Sequence, residues 1–224
     1  MIIISVKDAL KTLDSAKEQL SERQLNSVIS RAINESILQG RTEARASVKS
    51  LYNIPQRYVS GINVDRATPG LLIAKLNASS TPIPMDAFAP KFQTAAKSLT
   101  ISKRGEQKQR TFKRAKSNYA VGVSIEVVKG KRETVPYAFL IPGAKPRVFA
   151  RGEYRNGTAY GFVQRNKRVN KDGSDKPVKP LLSITTHAAV INKESLNRIE
   201  TRVNSVFPVS IQRNIEFMLS KVST

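Results

Sequence analysis

Tyr119 to Arg151 reads YAVGVSIEVVKGKRETVPYAFLIPGAKPRVFAR, and the fold follows from how this stretch is divided. Val121, Val123, Ile125 and Val127 alternate with Ala120, Gly122, Ser124 and Glu126. A period of two puts the four branched side chains on one face, as a half-buried strand requires. Lys129-Gly130-Lys131-Arg132 breaks the run as a basic turn. Val135 to Ile141 is the predicted returning strand, with Pro136 marking an edge or a late start. Arg147-Val148-Phe149-Ala150 follows the bend at Pro142-Gly143 and Pro146 as a third piece. Together these predict a small, strongly basic antiparallel sheet with helices before and after it.

Upstream, residues 5 to about 51 carry helical spacing. Val6, Ala9, Leu10, Leu13, Ala16 and Leu20 form one apolar stripe. Ser21 with Gln24 has the form of a capping box that opens a further helix. Leu25, Val28, Ile29, Ala32, Ile33, Ile37, Val48 and Leu51 continue the stripe. Ala32, Ser36, Gly40 and Ala44 sit four apart on one flank, where small side chains admit a second backbone. That backbone belongs either to the protein's own core or to a neighbouring subunit. Arg31, Arg41, Arg45 and Lys49 occupy the polar face.

A short helix is expected between Tyr52 and Gly61, with Asn53 and Pro55 as cap and first turn. Ile62–Arg66 and Leu71–Leu76 read as a hairpin around Thr68-Pro69-Gly70, the second strand mostly buried. Residues 79–90, with three prolines, should run extended over the surface. Within Lys91–Ser117, Ser98–Ile101 could pair as a strand, 103–117 is read as a mobile basic loop, and 166–180 as a second loop. Tyr160–Val163 and Leu181–Ile184 are short strands. A helix begins near Asn192 and continues to the C-terminus, kinked or divided at Pro208. The reading is α+β: a small antiparallel β-sheet or partial barrel, flanked by a long N-terminal helix and a C-terminal helix. It is one domain over 1–224, with helices at 5–51, a basic β-rich core at 62–165 and the last helix at 192–222.

The net charge is +21, and it is unevenly placed. Residues 91–179 hold 22 of the 38 Lys and Arg but 6 of the 17 Asp and Glu, so +16 lies there. Such a concentration suits a polyanion or an acidic protein surface, or else a solvated loop. The candidate contacts are Lys103, Arg104, Lys108, Arg110, Lys113, Arg114, Lys116, Lys129, Lys131, Arg132, Arg147 and Arg151. Phe112 and Tyr119 flank part of the run and could stack on bases or anchor the loop.

Catalytic signals are poor. There is one histidine, His187, and no cysteine, which disfavours a transition-metal cluster and excludes thiol chemistry. Gly122-Val123-Ser124-Ile125-Glu126 lacks the last glycine of a nucleophile elbow and lies inside a strand. No phosphate-binding or dinucleotide fingerprint is present. No enzyme activity and no cofactor is expected. No stretch approaches the length of a membrane span.

Four stretches carry a family likeness. They are Arg31–Ala44 leading into Leu51-Tyr52-Asn53-Ile54, Ile62–Gly70, Ile83–Phe88, and Val123–Arg132 followed by Ala138-Phe139 and Arg147–Arg151. In this order and spacing, over roughly 25–150, the chain resembles the minor tail protein Z family of lambda-like tailed bacteriophages, the tail-completion proteins. It departs from the family's pattern in a longer, more basic Lys103–Lys116 stretch and in residues after 151, where Pro180-Leu181-Leu182 stands in for a Leu-Pro segment.

The resemblance implies a structural virion protein at the head-proximal end of the tail, assembled in the host cytoplasm. Copies would form a ring, hexameric by tail analogy, with Ala32, Ser36, Gly40 and Ala44 as subunit-packing candidates. The implied partners are the tail terminator or tail tube protein, the head-tail connector or neck proteins, and genomic DNA in the lumen. The alternative reading is a sequence-nonspecific nucleic-acid-binding protein.

Overall fold

The computed structural model describes residues 20–95, 97–101, 107–111, 119–141, 147–155, 161–164 and 177–222. The expected α+β class is present: long helices and small antiparallel sheets. The chain separates into two compact units. One combines the chain up to Thr81 with the chain from Thr185 onward; the other is Pro82–Ile184. The strongly basic stretch 91–179 falls inside the second unit.

The first unit rests on two 30-residue helices, α1 (Glu22–Leu51) and, at the other end of the chain, a helix at Lys193–Val222. The capping box opens α1 as expected. The Ser21 backbone N–H donates to Gln24 Oε1 at 2.9 Å, satisfying a donor that a bare helix start leaves unpaired. Val28 and Ala32 of the apolar stripe are buried against Phe207, Ile211 and Ile215, and Leu20 closes the end of this core. Each fully buried Val or Ile here stabilises the pair by about 1.5–3 kcal/mol. Pro208 sits within the last helix, which runs on through it without dividing.

Ala32, Ser36, Gly40 and Ala44 are buried. The backbone they admit is the protein's own last helix: Val203 and Ile199 lie over Gly40. As candidates for packing a neighbouring subunit these four are therefore corrected, because an intrachain partner already fills the space.

The polar face of α1 holds the following loops in place. Asn34 donates to the Ala67 carbonyl and accepts from the Ala67 N–H, at 2.9 and 2.8 Å. Arg45, read only as a polar-face cation, donates to the carbonyls of Ser60 and Ile62 at 2.8 and 2.7 Å. The short helix α2 (Gln56–Val59) begins after Pro55 rather than at Asn53. Strands β1 (Asn63–Asp65) and β2 (Lys75–Asn77) form the expected hairpin, Val64 opposite Leu76. The second strand starts four residues later than expected. Thr68 and Leu71 close on each other through two 3.0 Å backbone hydrogen bonds, and Leu71 and Ile73 are more than half exposed. Helix α3 (Thr186–Val190), capped by Thr185, precedes α4 (Lys193–Val222).

The second unit is built of strands, with a 3-10 turn at Met85–Ala87. Strand β3 (Pro82–Pro84) pairs with a strand at Leu182–Thr185. Ile83 and Phe88 are fully buried, so the expected surface run of 79–90 is in part core. Strand β4 (Lys91–Ala95) lies beside β7 (Tyr119–Val128), and β5 (Lys97–Ile101) pairs with β6 (Gln107–Thr111). Part of the expected basic loop is thus strand: a polar strand on a two-stranded ribbon leaves no apolar alternation to read. The strand returning from β7 is β8 (Lys131–Val135), with Val123 opposite Val135. It begins at the basic turn, earlier than expected, and Pro136-Tyr137 separates it from β9 (Ala138–Ile141).

Strand β10 (Arg147–Tyr154) is the centre of the second sheet. It pairs with β9, with β11 (Phe162–Gln164) and with β12 (Val178–Pro180), all antiparallel. The expected 166–180 loop therefore ends in a strand; residues 166–176 of that loop lie outside the described residues. Strand β13 (Leu182–Thr185) completes the set. Val123, Ile125, Ala138, Val148, Ala150 and Leu181 are buried in this unit.

Candidate functional site

Of the twelve basic candidates, Lys103, Arg104, Lys113, Arg114 and Lys116 lie outside the described residues, as does the aromatic Phe112. Lys108 and Arg110 fall on β6, opposite Thr100 and Ser98. Lys129 is exposed beside Gly130 at the turn between β7 and β8. Lys131 and Arg132 begin β8, and Arg147 and Arg151 lie on β10.

Local contacts sort these cations. Lys131 Nζ is 3.0 Å from Glu133 Oε1 with both side chains largely exposed, an ion pair of little energetic weight. Arg132 is half-buried and tied to the fold. Its guanidinium donates to the carbonyls of Ala89 and Ser124, each at 3.2 Å, and meets Glu126 at 3.4 Å. A planar fork with several donors suits this junction, and it leaves Arg132 little freedom to meet a partner.

Arg147 and Arg151 differ from Arg132. Alternation along β10 buries Val148, Ala150 and Gly152 and turns Arg147, Phe149, Arg151 and Glu153 to the other face. Across the sheet, Ile141 lies opposite Arg147 and Phe139 opposite Phe149. The two rings stack with centroids 6.5 Å apart and planes at 25°. On the other side of β10, Pro180 faces Phe149 and Val178 faces Arg151. Ile141 and Val178 are 44% and 36% exposed. The result is a sheet face with an aromatic pair at its centre and a guanidinium on either side of Phe149. Among the described residues neither Arg147 nor Arg151 has an ion-pair partner.

Sequence reasoning chose the two arginines but missed the rings. The signal was present as Arg-x-Phe-x-Arg at 147–151, which a strand must place on one face.

A different aromatic group surrounds Tyr154. Its ring meets Phe162 edge-on at 5.1 Å, and Phe162 stacks on Tyr137 at 6.0 Å. The Tyr154 hydroxyl donates to the Pro180 carbonyl at 2.8 Å and accepts from the Leu182 N–H at 3.0 Å. Burial pushes this phenol above its ordinary value, against the opposing pull of the Leu182 N–H. These bonds tie β10 to the segment running from β12 into β13.

In the first unit, a shallow groove between α1 and α4 is lined by Leu38, Val206 and Val209 among others. Arg213 bridges it to Glu35 at 2.6 Å and Arg202 to Gln39 at 3.1 Å. His187 is exposed on α3, and its backbone N–H donates to the Ser79 carbonyl at 2.9 Å. Among the described residues no three His, Cys, Asp or Glu side chains gather as a metal site would need. Among them, too, no helix is long and apolar enough to cross a membrane. No family model, curated protein or solved structure matches the chain.

Proposed function

We propose that this protein is a structural component of a phage tail, completing the tail's head-proximal end so that it joins the head or neck. The observation that carries the reading is the ordered likeness to the minor tail protein Z family over roughly 25–150, together with where its stretches fall. They lie on α1, on the β1 hairpin, on β3 and its 3-10 turn, and on β7 through β10. Several of their apolar residues, Ile62, Ile83, Phe88, Val123 and Val148 among them, are core. The likeness thus follows the framework of both units, as a shared architecture would, rather than a run of similar loops.

The charge supports the same reading. A chain of +21 repels its own copies unless an anionic neighbour is present. Copies closing as a ring by heterologous contacts, with DNA or acidic neck proteins beside them, provide that neighbour. The ring, its hexameric order, the virion location and the neck and tail-tube partners belong to this proposal. Immunogold labelling or cryo-EM of purified tails tests it: the chain is expected at the head-proximal end, and its absence from assembled tails overturns the reading.

A further inference from the structure

The outer face of β9, β10 and β12 has a chemistry that a purely structural role in a tail does not require. Two stacked phenyl rings, Phe139 and Phe149, each half-buried, occupy the middle of this sheet face. Protein cores bury such pairs for their area, and surfaces seldom carry them beside uncompensated charge. Here Arg147 and Arg151 stand at two-residue spacing on either side of Phe149, so their side chains rise from the same face. Exposed Ile141 and Val178 extend the apolar floor beside each arginine. Only Glu153, at the far end of the row, is acidic.

We propose that this face binds single-stranded polynucleotide. Unpaired bases present flat π-faces that stack on rings such as Phe139 and Phe149, and a phosphate backbone supplies the anions that two free guanidinium groups would neutralise. A duplex keeps its bases stacked inside and offers the rings nothing, so the aromatic centre favours single strands over duplex. The site reads no sequence: neither phenyl ring nor guanidinium distinguishes one base from another by stacking alone. The inference is independent of the proposed place in a tail, and either can fail without the other.

The chain has no tryptophan, which makes the test direct. In the full-length Phe149→Trp variant the introduced indole is the only one present. Titration with a dT oligonucleotide of about 20 residues is expected to quench its fluorescence saturably, and a U oligonucleotide of equal length shows whether ribose is accepted as well. By anisotropy with labelled dT oligonucleotide, Phe149→Leu should weaken binding about fivefold or more while leaving the salt dependence unchanged. The double variant Arg147→Gln, Arg151→Gln changes only side chains on the outward face. It should flatten the slope of log affinity against log salt by about 1.4, the loss of two phosphate contacts on a single strand.

Binding without quenching places the oligonucleotide elsewhere on this basic chain and overturns the proposal. So does an unchanged salt slope in the double variant, or duplex binding as tight as single-strand binding. No binding of either oligonucleotide by the unmodified chain overturns it too, and would leave the face to a protein partner.

Discussion

Val203 stands directly over Gly40: a Cβ built on Gly40 would come within 2.7 Å of Val203 Cγ2. This contact sets the spacing between α1 and α4 near the middle of their pairing. Alanine in a helix interior ordinarily gains about 1 kcal/mol over glycine. Here the methyl meets a β-branched side chain whose rotamer is fixed by its own helix, and overpacking costs about 1–3 kcal/mol. Gly40→Ala is expected to be net destabilising in chemical denaturation. Combining it with Val203→Ala should recover part of the loss, and a stabilised single variant would refute the contact.

Two glycines in β7 and its turn have positive φ but different surroundings. Gly122, at φ 131°, is so close to the returning strand that a Cβ would lie 2.2 Å from the Val135 carbonyl oxygen and 2.6 Å from Pro136 Cα. Backbone cannot yield as a side-chain tip does. Gly130, at φ 74°, has nothing within 4 Å of the same position. Gly130→Ala should cost about 1 kcal/mol, the conformational penalty alone. Gly122→Ala should cost at least about 3 kcal/mol by the same denaturation measurement, or prevent the second unit from folding. Equal losses at the two sites would contradict the close approach.

The two neighbouring cations of β8 should behave unequally. Lys131→Gln removes an exposed pair and is expected to change stability by less than about 0.5 kcal/mol. Arg132→Gln strips hydrogen bonds from the Ala89 and Ser124 carbonyls and leaves Glu126 without its cation, for an expected loss of about 1–3 kcal/mol. Arg132→Lys should restore little, since a single ammonium cannot span the same acceptors. A full rescue by lysine in thermal unfolding would show that charge alone is at work.

Tyr154 gives the fold an alkaline limit. Its phenol is raised in the folded protein, chiefly by burial, so the unfolded chain ionises first as pH rises. The contribution is fully present below the unfolded value of about 10 and is lost as pH climbs from there through the folded value. Tyr154→Phe should lower stability at neutral pH by removing both hydroxyl hydrogen bonds, and should flatten the decline above pH 10. Denaturation midpoints for both proteins across that range, read with ultraviolet titration of the phenol, decide the matter; parallel declines would remove Tyr154 as the cause.

Local signals were the legible part of the sequence. Ser21 and Gln24 announce the start of α1 because a capping box is made within four residues. The valines of β7 announce a strand, and Leu196 to Leu219 announce α4, because side-chain period follows backbone geometry. What escaped depends on partners far along the chain. Val178–Pro180 reads Val-Lys-Pro, too short to show a period, and is a strand only because β10 lies beside it. Leu71 and Ile73 look like strand core, yet a turn closes first and leaves them in solvent. The small residues of α1 told of a close neighbour without naming it. The site was legible to the same degree: Arg147 and Arg151 stood out by charge, whereas Phe139 and Phe149 become a pair only through the β9–β10 register.

Because α1 and α4 come from opposite ends of the chain, their joint core cannot assemble as the ribosome delivers it. The apolar edge of α1 leaves the exit tunnel and then waits while about 140 further residues are added, roughly 7–28 s at usual elongation rates. Throughout that interval Val28 and Ala32 lack their covering surface, which makes the nascent chain a substrate for holding chaperones and a hazard for clumping. Emergence of α4 is the event that ends the exposure, so a ribosome stalled before Lys193 strands a sticky fragment.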